Sequence, residues 1–328
     1  MSDNHAKNVT ISDIAKAAGV SKTTVSRYLN GKFTMMSPET RSRIETVIRM
    51  ANYHPNSIAQ SLRGRRSMQI GVVVSDISSP FCAALIRGIG HTLLDAGYVP
   101  LFVDSKDDPA LEQRLIQLAC QGTPVVLCDR YIRDYRFAYV GSDHRRPVIQ
   151  LVAHLKEQGF GRVFFFTQPY ENNSTRSIRR DAYIQAMEAC YPSLDPRQLI
   201  CTVELTDRRR TAGFIRKLLD SCAPGETPAI ITVNSATTMH LVNTIQEMGL
   251  RVPADIGLCG PDDWGWDLQF SMSPLEFPGI TSYLVHPGEI GSSAATMLLQ
   301  MIQNPEEKKQ DILIPCELII RGSTLLRP

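Results

Sequence analysis

The chain has 328 residues, 43% of them hydrophobic and 21% charged, with 35 Lys+Arg against 33 Asp+Glu for a formal charge of +2. That composition excludes collagen-like, disordered and coiled-coil chains, and at about 150 residues per domain the length predicts about two domains with full cores. The start, MSDNHAKN, is polar, and no uncharged run of about 18 apolar residues follows, so neither export nor membrane spanning is expected and the predicted location is the cytosol. The eight cysteines include no C-x-x-C pair and no adjoining His cluster, so metal and disulfide use are not expected and no cofactor is implied.

The near-zero charge conceals a split. Residues 1–66 carry eleven Lys+Arg and four Asp+Glu, a balance of +7, and the remainder carries −5. A basic head on a mildly acidic body is the charge pattern of a nucleic-acid-binding module joined to something else, and a basic tail would give the same count. What separates the two is a folding pattern within the basic segment.

The run T-I-S-D-I-A-K-A-A-G-V-S-K-T-T-V-S-R-Y-L-N-G, from Thr10 onward, places Ile11, Ile14, Ala15 and Ala18 at helical spacing. Gly19 supplies the left-handed residue of a tight turn, Val20 sits under it, and Ser21 caps a second helix whose inward face is Val25 and Leu29. This is a helix-turn-helix, spanning Ile11 to Leu29. Ser37 and Pro38 then open a third helix through Ile44, Val47, Ile48 and Ala51. In such a unit the second helix enters the major groove, and Lys22, Thr23 and Arg27 are the side chains placed to reach base edges. Taken singly, Lys22 and Arg27 are ordinary solvated helix charges; the turn glycine with its flanking apolar residues favours DNA contact. Ser21, Thr24, Ser26 and Asn30 fall where phosphate contacts position the helix.

After Tyr53-His54-Pro55, the stretch N-S-I-A-Q-S-L-R-G-R-R-S is helix-capable but too short to be stable alone. It is either a plain linker or a segment that folds on DNA, with Leu62 entering between base pairs from the minor groove.

These three blocks resemble the head and hinge of the lactose-repressor/galactose-repressor family of bacterial transcription regulators. The resemblance puts the family's base-reading residues on Lys22, Thr23 and Arg27, its hinge asparagine on Asn56 and its minor-groove leucine on Leu62. It implies a homodimer on a pseudo-palindromic operator. The expected division is a helix-turn-helix domain at 1–55, a hinge at 56–66 and an effector-binding and dimerisation domain at 67–328.

The body alternates strand-like runs with helical ones, the pattern of an α/β fold with parallel sheets covered on both faces. Strands are predicted at 69–74, 99–104, 124–128, 137–140, 162–167, 229–233 and 255–259. Ligands of such folds bind at the carboxyl ends of the strands. There the sequence collects Phe81, able to stack on a sugar face, Arg176 and Arg179, able to fork a carboxylate, and Asn234 and Asp262, able to bind hydroxyls. Each alone reads as a core, surface or turn residue; their accumulation at successive strand ends favours a pocket. Asp143-His144 reads as a solvated strand-end pair.

The resemblance extends through the body and implies two subdomains like those of periplasmic sugar-binding proteins. By position Phe81, Arg179, Asn234 and Asp262 match the family's ligand contacts. Trp264 and Trp266 in D-D-W-G-W, with the arginines at 176 and 179, resemble members that answer to sugar acids such as 2-ketogluconate. Two departures stand out. Val285 occupies a position where relatives carry a ligand-facing glutamine, and Gln121 to Thr123 join directly where relatives have about 30 more residues, the size of one βα unit. Loss of a central strand would expose its neighbours' edges or draw the next strand into its place.

An enzyme is disfavoured by the lack of G-x-S-x-G, of a glycine-rich phosphate loop and of a paired His/carboxylate motif. The reading is therefore a non-enzymatic repressor of carbohydrate or sugar-acid catabolic genes, released or engaged by a small-molecule effector. The alternative is a cytosolic sugar-binding or sugar-modifying protein with an accessory DNA-binding head.

Overall fold

The computed structural model describes residues 9–53, 67–106, 108–119, 123–132, 136–262, 278–307 and 310–326. Two units separate in the chain, Met1–Met68 and Gln69–Pro328. The hinge residues Asn56 and Leu62, and Trp264 and Trp266, lie outside the described residues.

The first unit holds α1 (Ile11–Ala17), α2 (Lys22–Leu29) and α3 (Pro38–Met50). Its helices begin where side chains satisfy the orphan N–H groups of the first turn. Thr10 and Asp13 form a reciprocal capping box on α1. The Ser21 hydroxyl accepts from the Thr24 N–H at 3.1 Å, and Ser37 does the same for Thr40 at 3.2 Å. Gly19, at φ 63°, makes the turn between α1 and α2 in a conformation that a Cβ would penalise. Ile14, Ala15, Ala18, Val25 and Ile44 form the buried centre, with Ile11, Val20, Leu29, Val47, Ile48 and Ala51 packed around it. The inward residues read from helical spacing are the ones that meet.

The second unit contains β1 (Gln69–Val74), β2 (Val99–Asp104), β3 (Val126–Cys128), β4 (Ala138–Ser142), β5 (Arg162–Thr167), β6 (Ile200–Thr202), β7 (Pro228–Thr232), β8 (Gly257–Pro261), β9 (Thr281–Leu284), β10 (Ile312–Ile314) and β11 (Glu317–Ile319). Interleaved are α4 (Pro80–Asp95), α5 (Pro109–Ala119), α6 (Arg145–Gln158), α7 (Ser174–Cys190), α8 (Arg208–Asp220), α9 (Ser235–Glu247) and α10 (Pro287–Gln303). All seven expected strands form. Short β6, β9, β10 and β11 have no counterpart in the sequence reading, because three or four residues cannot display a period. No described helix is long and apolar enough to cross a membrane.

The C-terminal half of this body is a six-stranded sheet in the order β11-β9-β8-β7-β5-β6, parallel except for the antiparallel β11–β9 pair. The N-terminal half is not one sheet. Its strands form a parallel pair, β1-β2, and a separate triplet, β10-β4-β3. Among the described residues, β1 and β3 each pair with a strand on one edge alone. The edges expected to flank the missing βα unit are thus unpaired among the described residues, and β3 does not pair with β1.

The two pieces are held together by helices. A Cβ on Gly88 of α4 would collide with the Gly288 carbonyl oxygen, and one on Gly291 of α10 would collide with that of Leu85. The helix backbones therefore touch directly, linking α4 beside β2 to α10 beside β3 and β4. Glu112 of α5 adds a second link, accepting from the Ser105 hydroxyl at 2.9 Å and from the Arg130 guanidinium at 3.1 Å. The chain passes between the halves after β4, after β9 and between β10 and β11, and the Asp143 N–H donates to the Ile314 carbonyl at 3.0 Å across two of these crossings.

Candidate functional site

On the head, the Ser21 cap leaves α2 with Lys22, Thr23 and Arg27 exposed. The companion polar residues are partly occupied within the helix. Ser21 and Thr24 share a 2.9 Å hydroxyl contact, and the Asn30 amide donates to the Ser26 carbonyl. Their first task is to hold the helix ends, and the exposed Ser21 and Asn30 are the N-cap and C-cap of the helix that carries Lys22 and Arg27.

In the body, five of the six predicted effector residues, Phe81, Arg176, Arg179, Asn234 and Asp262, line one cavity of about 960 Å³ at the carboxyl ends of the strands. The volume lies at the upper end of the usual 300–1,000 Å³ for a ligand site. Val285, by contrast, is a core residue with 2% exposure and does not line the cavity.

Arg179, 5% exposed, is the centre of the arrangement. One Nη1 donates to the Val233 carbonyl at 2.6 Å, and Nη2 reaches His144 Nδ1 at 3.2 Å and Asp262 Oδ1 at 3.9 Å. Among the described residues its Nε has no hydrogen-bond partner, and buried donors of that kind call for an acceptor. The ring of Tyr283 lies 5.9 Å from the guanidinium carbon.

His144 is the main correction to the sequence reading. It is 1% exposed rather than solvated, and its Nε2 meets Asp129 Oδ1 at 3.1 Å. Because Arg179 can only donate, Nδ1 must carry a lone pair and Nε2 the proton, which it gives to Asp129. Burial, then the charge of Arg179, holds the imidazole below its ordinary pKa. For Asp129 burial acts upward, but the His144 hydrogen bond and the Arg179 and Arg130 charges prevail, and the carboxyl lies below its usual range. The result is a neutral imidazole between a carboxylate and a guanidinium.

That chain of contacts joins the two halves. Asp129 follows β3 at φ 61°, and its carbonyl accepts from Tyr139 at 2.8 Å on the N-terminal side and from Thr175 at 3.1 Å on the C-terminal side. His144 stands at the N-terminal boundary of α6, just after the first crossing, and makes no cap hydrogen bond through its side chain. The sequence offers little signal for Asp129 or His144, since neither lies in a pattern that demands burial. The D-R end of the third predicted strand is the nearest hint.

Asn234 and Asp262 have structural employment as well. Asn234 Oδ1 caps α9 through the Thr237 N–H at 2.9 Å, and its amide donates to Gln168 Oε1 at 2.7 Å. Asp262 Oδ2 accepts the Ser235 N–H at 2.9 Å. Arg176 donates to the Pro169 carbonyl at 2.8 Å. The cavity is therefore lined by polar groups already fixed in place, which is the preorganisation that a selective site requires.

Comparison with known proteins agrees with both modules. Residues 10–56 match the bacterial regulatory proteins of the lacI family, and residues 152–324 match the periplasmic binding protein-like domain. The HTH-type transcriptional regulator KdgR of Bacillus subtilis is 29% identical over 340 residues, covering 96% of this chain and 98% of the relative. That stretch is longer than the whole 328-residue chain. PtxS of Pseudomonas aeruginosa, an HTH-type transcriptional regulator, is 28% identical over 339 residues, with 96% of each protein covered. Among solved structures, the lac repressor dimer bound to operator and the anti-inducer ONPF is similar, with a TM-score of 0.76 at 23% identity, covering 97% of this chain and all of that one.

Proposed function

The chain belongs to the lacI family of bacterial regulatory proteins, DNA-binding transcription regulators rather than enzymes, and from that premise we propose a cytoplasmic homodimeric repressor of sugar-acid catabolic genes. In this reading the domain at 1–55 binds half of a pseudo-palindromic operator, 56–66 is a hinge, and 67–328 binds effector and dimerises. Lys22, Thr23 and Arg27 read bases, Ser21, Thr24, Ser26 and Asn30 face phosphates, and Asn56 and Leu62 act from the hinge.

The effector is a sugar acid. The observation that carries this is the buried Arg179 among the residues lining the cavity, whose Nε has no hydrogen-bond partner among the described residues. A carboxylate there gains a charge-assisted hydrogen bond, while Asn234 and Asp262 accept or donate to hydroxyls and Phe81 covers an apolar sugar face. Trp264, at the end of the same strand region, belongs to this group by sequence. Effector binding alters the Asp129–His144–Arg179–Asp262 contacts, and so the relative setting of the two halves of the body. By reciprocity operator and effector change each other's affinity by one factor.

Thermal-shift titration with sugar acids, neutral sugars and purines tests the effector class. Stabilisation by 2-ketogluconate or a related acid is expected, and stabilisation by a neutral sugar alone would sink it. On DNA, Arg27→Ala is expected to cost about 1–3 kcal/mol on operator and little on random sequence. Equal losses in gel-shift titrations on both DNAs would remove Arg27 from base reading.

A further inference from the structure

The 960 Å³ cavity does not end at the polar crevice. It continues between the two pieces of the N-terminal half, where all of β1 from Gln69 to Val74 and all of β3 from Val126 to Cys128 line it. The walls of this extension are apolar: Leu85 and Ile89 of α4, Leu298 and Ile302 of α10, and Leu115 and Ile116 of α5. Its two long sides are strand edges that no strand pairs among the described residues. Such edges present rows of backbone N–H and C=O groups, and an alkyl or sugar ligand could not match that row.

A peptide backbone can. We propose that this slot receives an extended apolar peptide segment of about six residues, running parallel to β1 and β3 and ending in a free carboxylate at Arg179. Three observations point to one occupant. The open edges belong to parallel ladders, β1 to β2 and β3 to β4, so a strand inserted parallel to both completes the two at once. Six residues of β1 at about 3.3 Å each set the length. Both strands run toward the crevice, since Ser75 and Asp76 follow β1 and Asp129 follows β3 among the lining residues. A parallel insert therefore brings its carboxyl end to the arginines, where the 5%-exposed Arg179 has an Nε without a hydrogen-bond partner among the described residues. The helix side chains that line the slot are apolar, so the segment is rich in Val, Ile and Leu. Strand addition of this kind takes affinity from the main chain and selectivity from the side-chain pockets.

The inference goes beyond the sugar-acid reading and shares with it the arginine end of the cavity. The test uses the full chain and a fluorescent peptide with two N-terminal lysines, six Val/Ile/Leu residues and a free carboxyl terminus. Saturable binding is expected, with slowed amide exchange at Ile70–Val74 and Val126–Cys128. The C-terminal amide should bind about tenfold more weakly, the size of one charge-assisted contact. A version N-methylated at all six apolar residues, at least as apolar but lacking their backbone donors, should not protect the two strands.

Equal binding of the methylated peptide, or of decanoate, would overturn the strand reading in favour of a merely greasy cavity. Absence of saturable binding, or binding without protection of both edges, would overturn it outright. Ala295→Phe, which narrows the slot away from Arg179, should abolish peptide binding and leave the thermal response to a sugar acid intact. That separates failure of this proposal from failure of the effector reading, and peptide binding undiminished in the variant would also overturn it.

Discussion

The two halves of the body are built from the same kind of unit and end in different states. In the C-terminal sheet, β7 and β8 are buried at every residue and β5 at all but its first, as a parallel sheet covered by helices on both faces should be. In the N-terminal half, β1 buries only Ile70 and Val74, and β2 buries no residue fully, with Val73 44% and Leu101 48% exposed. Both sets are mainly apolar: β5 reads R-V-F-F-F-T and β7 P-A-I-I-T, β1 Q-I-G-V-V-V and β2 V-P-L-F-V-D. What differs is the number of neighbours. A strand is buried by the strands beside it and the helices above and below, and β1 and β2 pair only with each other among the described residues.

The largest effect that tests how the halves cooperate should come from the charged chain that spans them. Arg179→Ala removes the buried guanidinium that faces Asp262 and His144, and a cost of about 3–5 kcal/mol is expected. Urea denaturation measures it. A loss below 1 kcal/mol would mean that the halves do not rely on this contact.

A matched pair of substitutions sharpens the comparison itself. Val163 of β5 is fully buried and Val73 of β1 is 44% exposed. Removing two methyl groups at Val163→Ala should cost about 2 kcal/mol from transfer and cavity together, and Val73→Ala about 0.5 kcal/mol or less. Equal losses would show that β1 is as well covered in solution as β5, and the difference between the two sheets would vanish.

How far sequence reaches follows from the same contrast. The head is legible nearly residue by residue, because Ser21 and Ser37 as caps and Gly19 as turn are local signals whose physics acts within four residues. The strand alternation of the body and the convergence of Phe81, Arg176, Arg179, Asn234 and Asp262 are also readable, since strand ends in parallel sheets converge by topology. The burial of His144 is not. Nothing in D-H-R-R distinguishes a solvated pair from an imidazole set between Asp129 and Arg179, whose partners lie 15 and 35 residues away. The missing unit could be located by spacing, but whether β3 would close the gap depended on how tightly Gly88 and Gly291 hold α4 against α10.

The smallest of these effects is a pH dependence, and it tests whether His144 is the neutral link its neighbours imply. Its pKa in the folded chain lies below the ordinary imidazole value of about 6.5. The unfolded chain therefore binds the proton more readily, so the stability contribution is complete above pH 6.5 and is lost as pH falls below it toward the folded value. His154 and His240 are lowered in the same direction, by burial first, so some acid sensitivity remains without His144. Asp129 is also lowered and acts in the more acidic carboxylate window. Thermal melts of wild type and His144→Gln between pH 7.5 and 5.0 isolate the link. The variant should start from a lower melting temperature at pH 7.5 and fall less steeply, because it has no proton to take up. Parallel curves would mean that His144 titrates as freely in the folded chain as in the unfolded one, which its position between a carboxylate and a guanidinium does not allow.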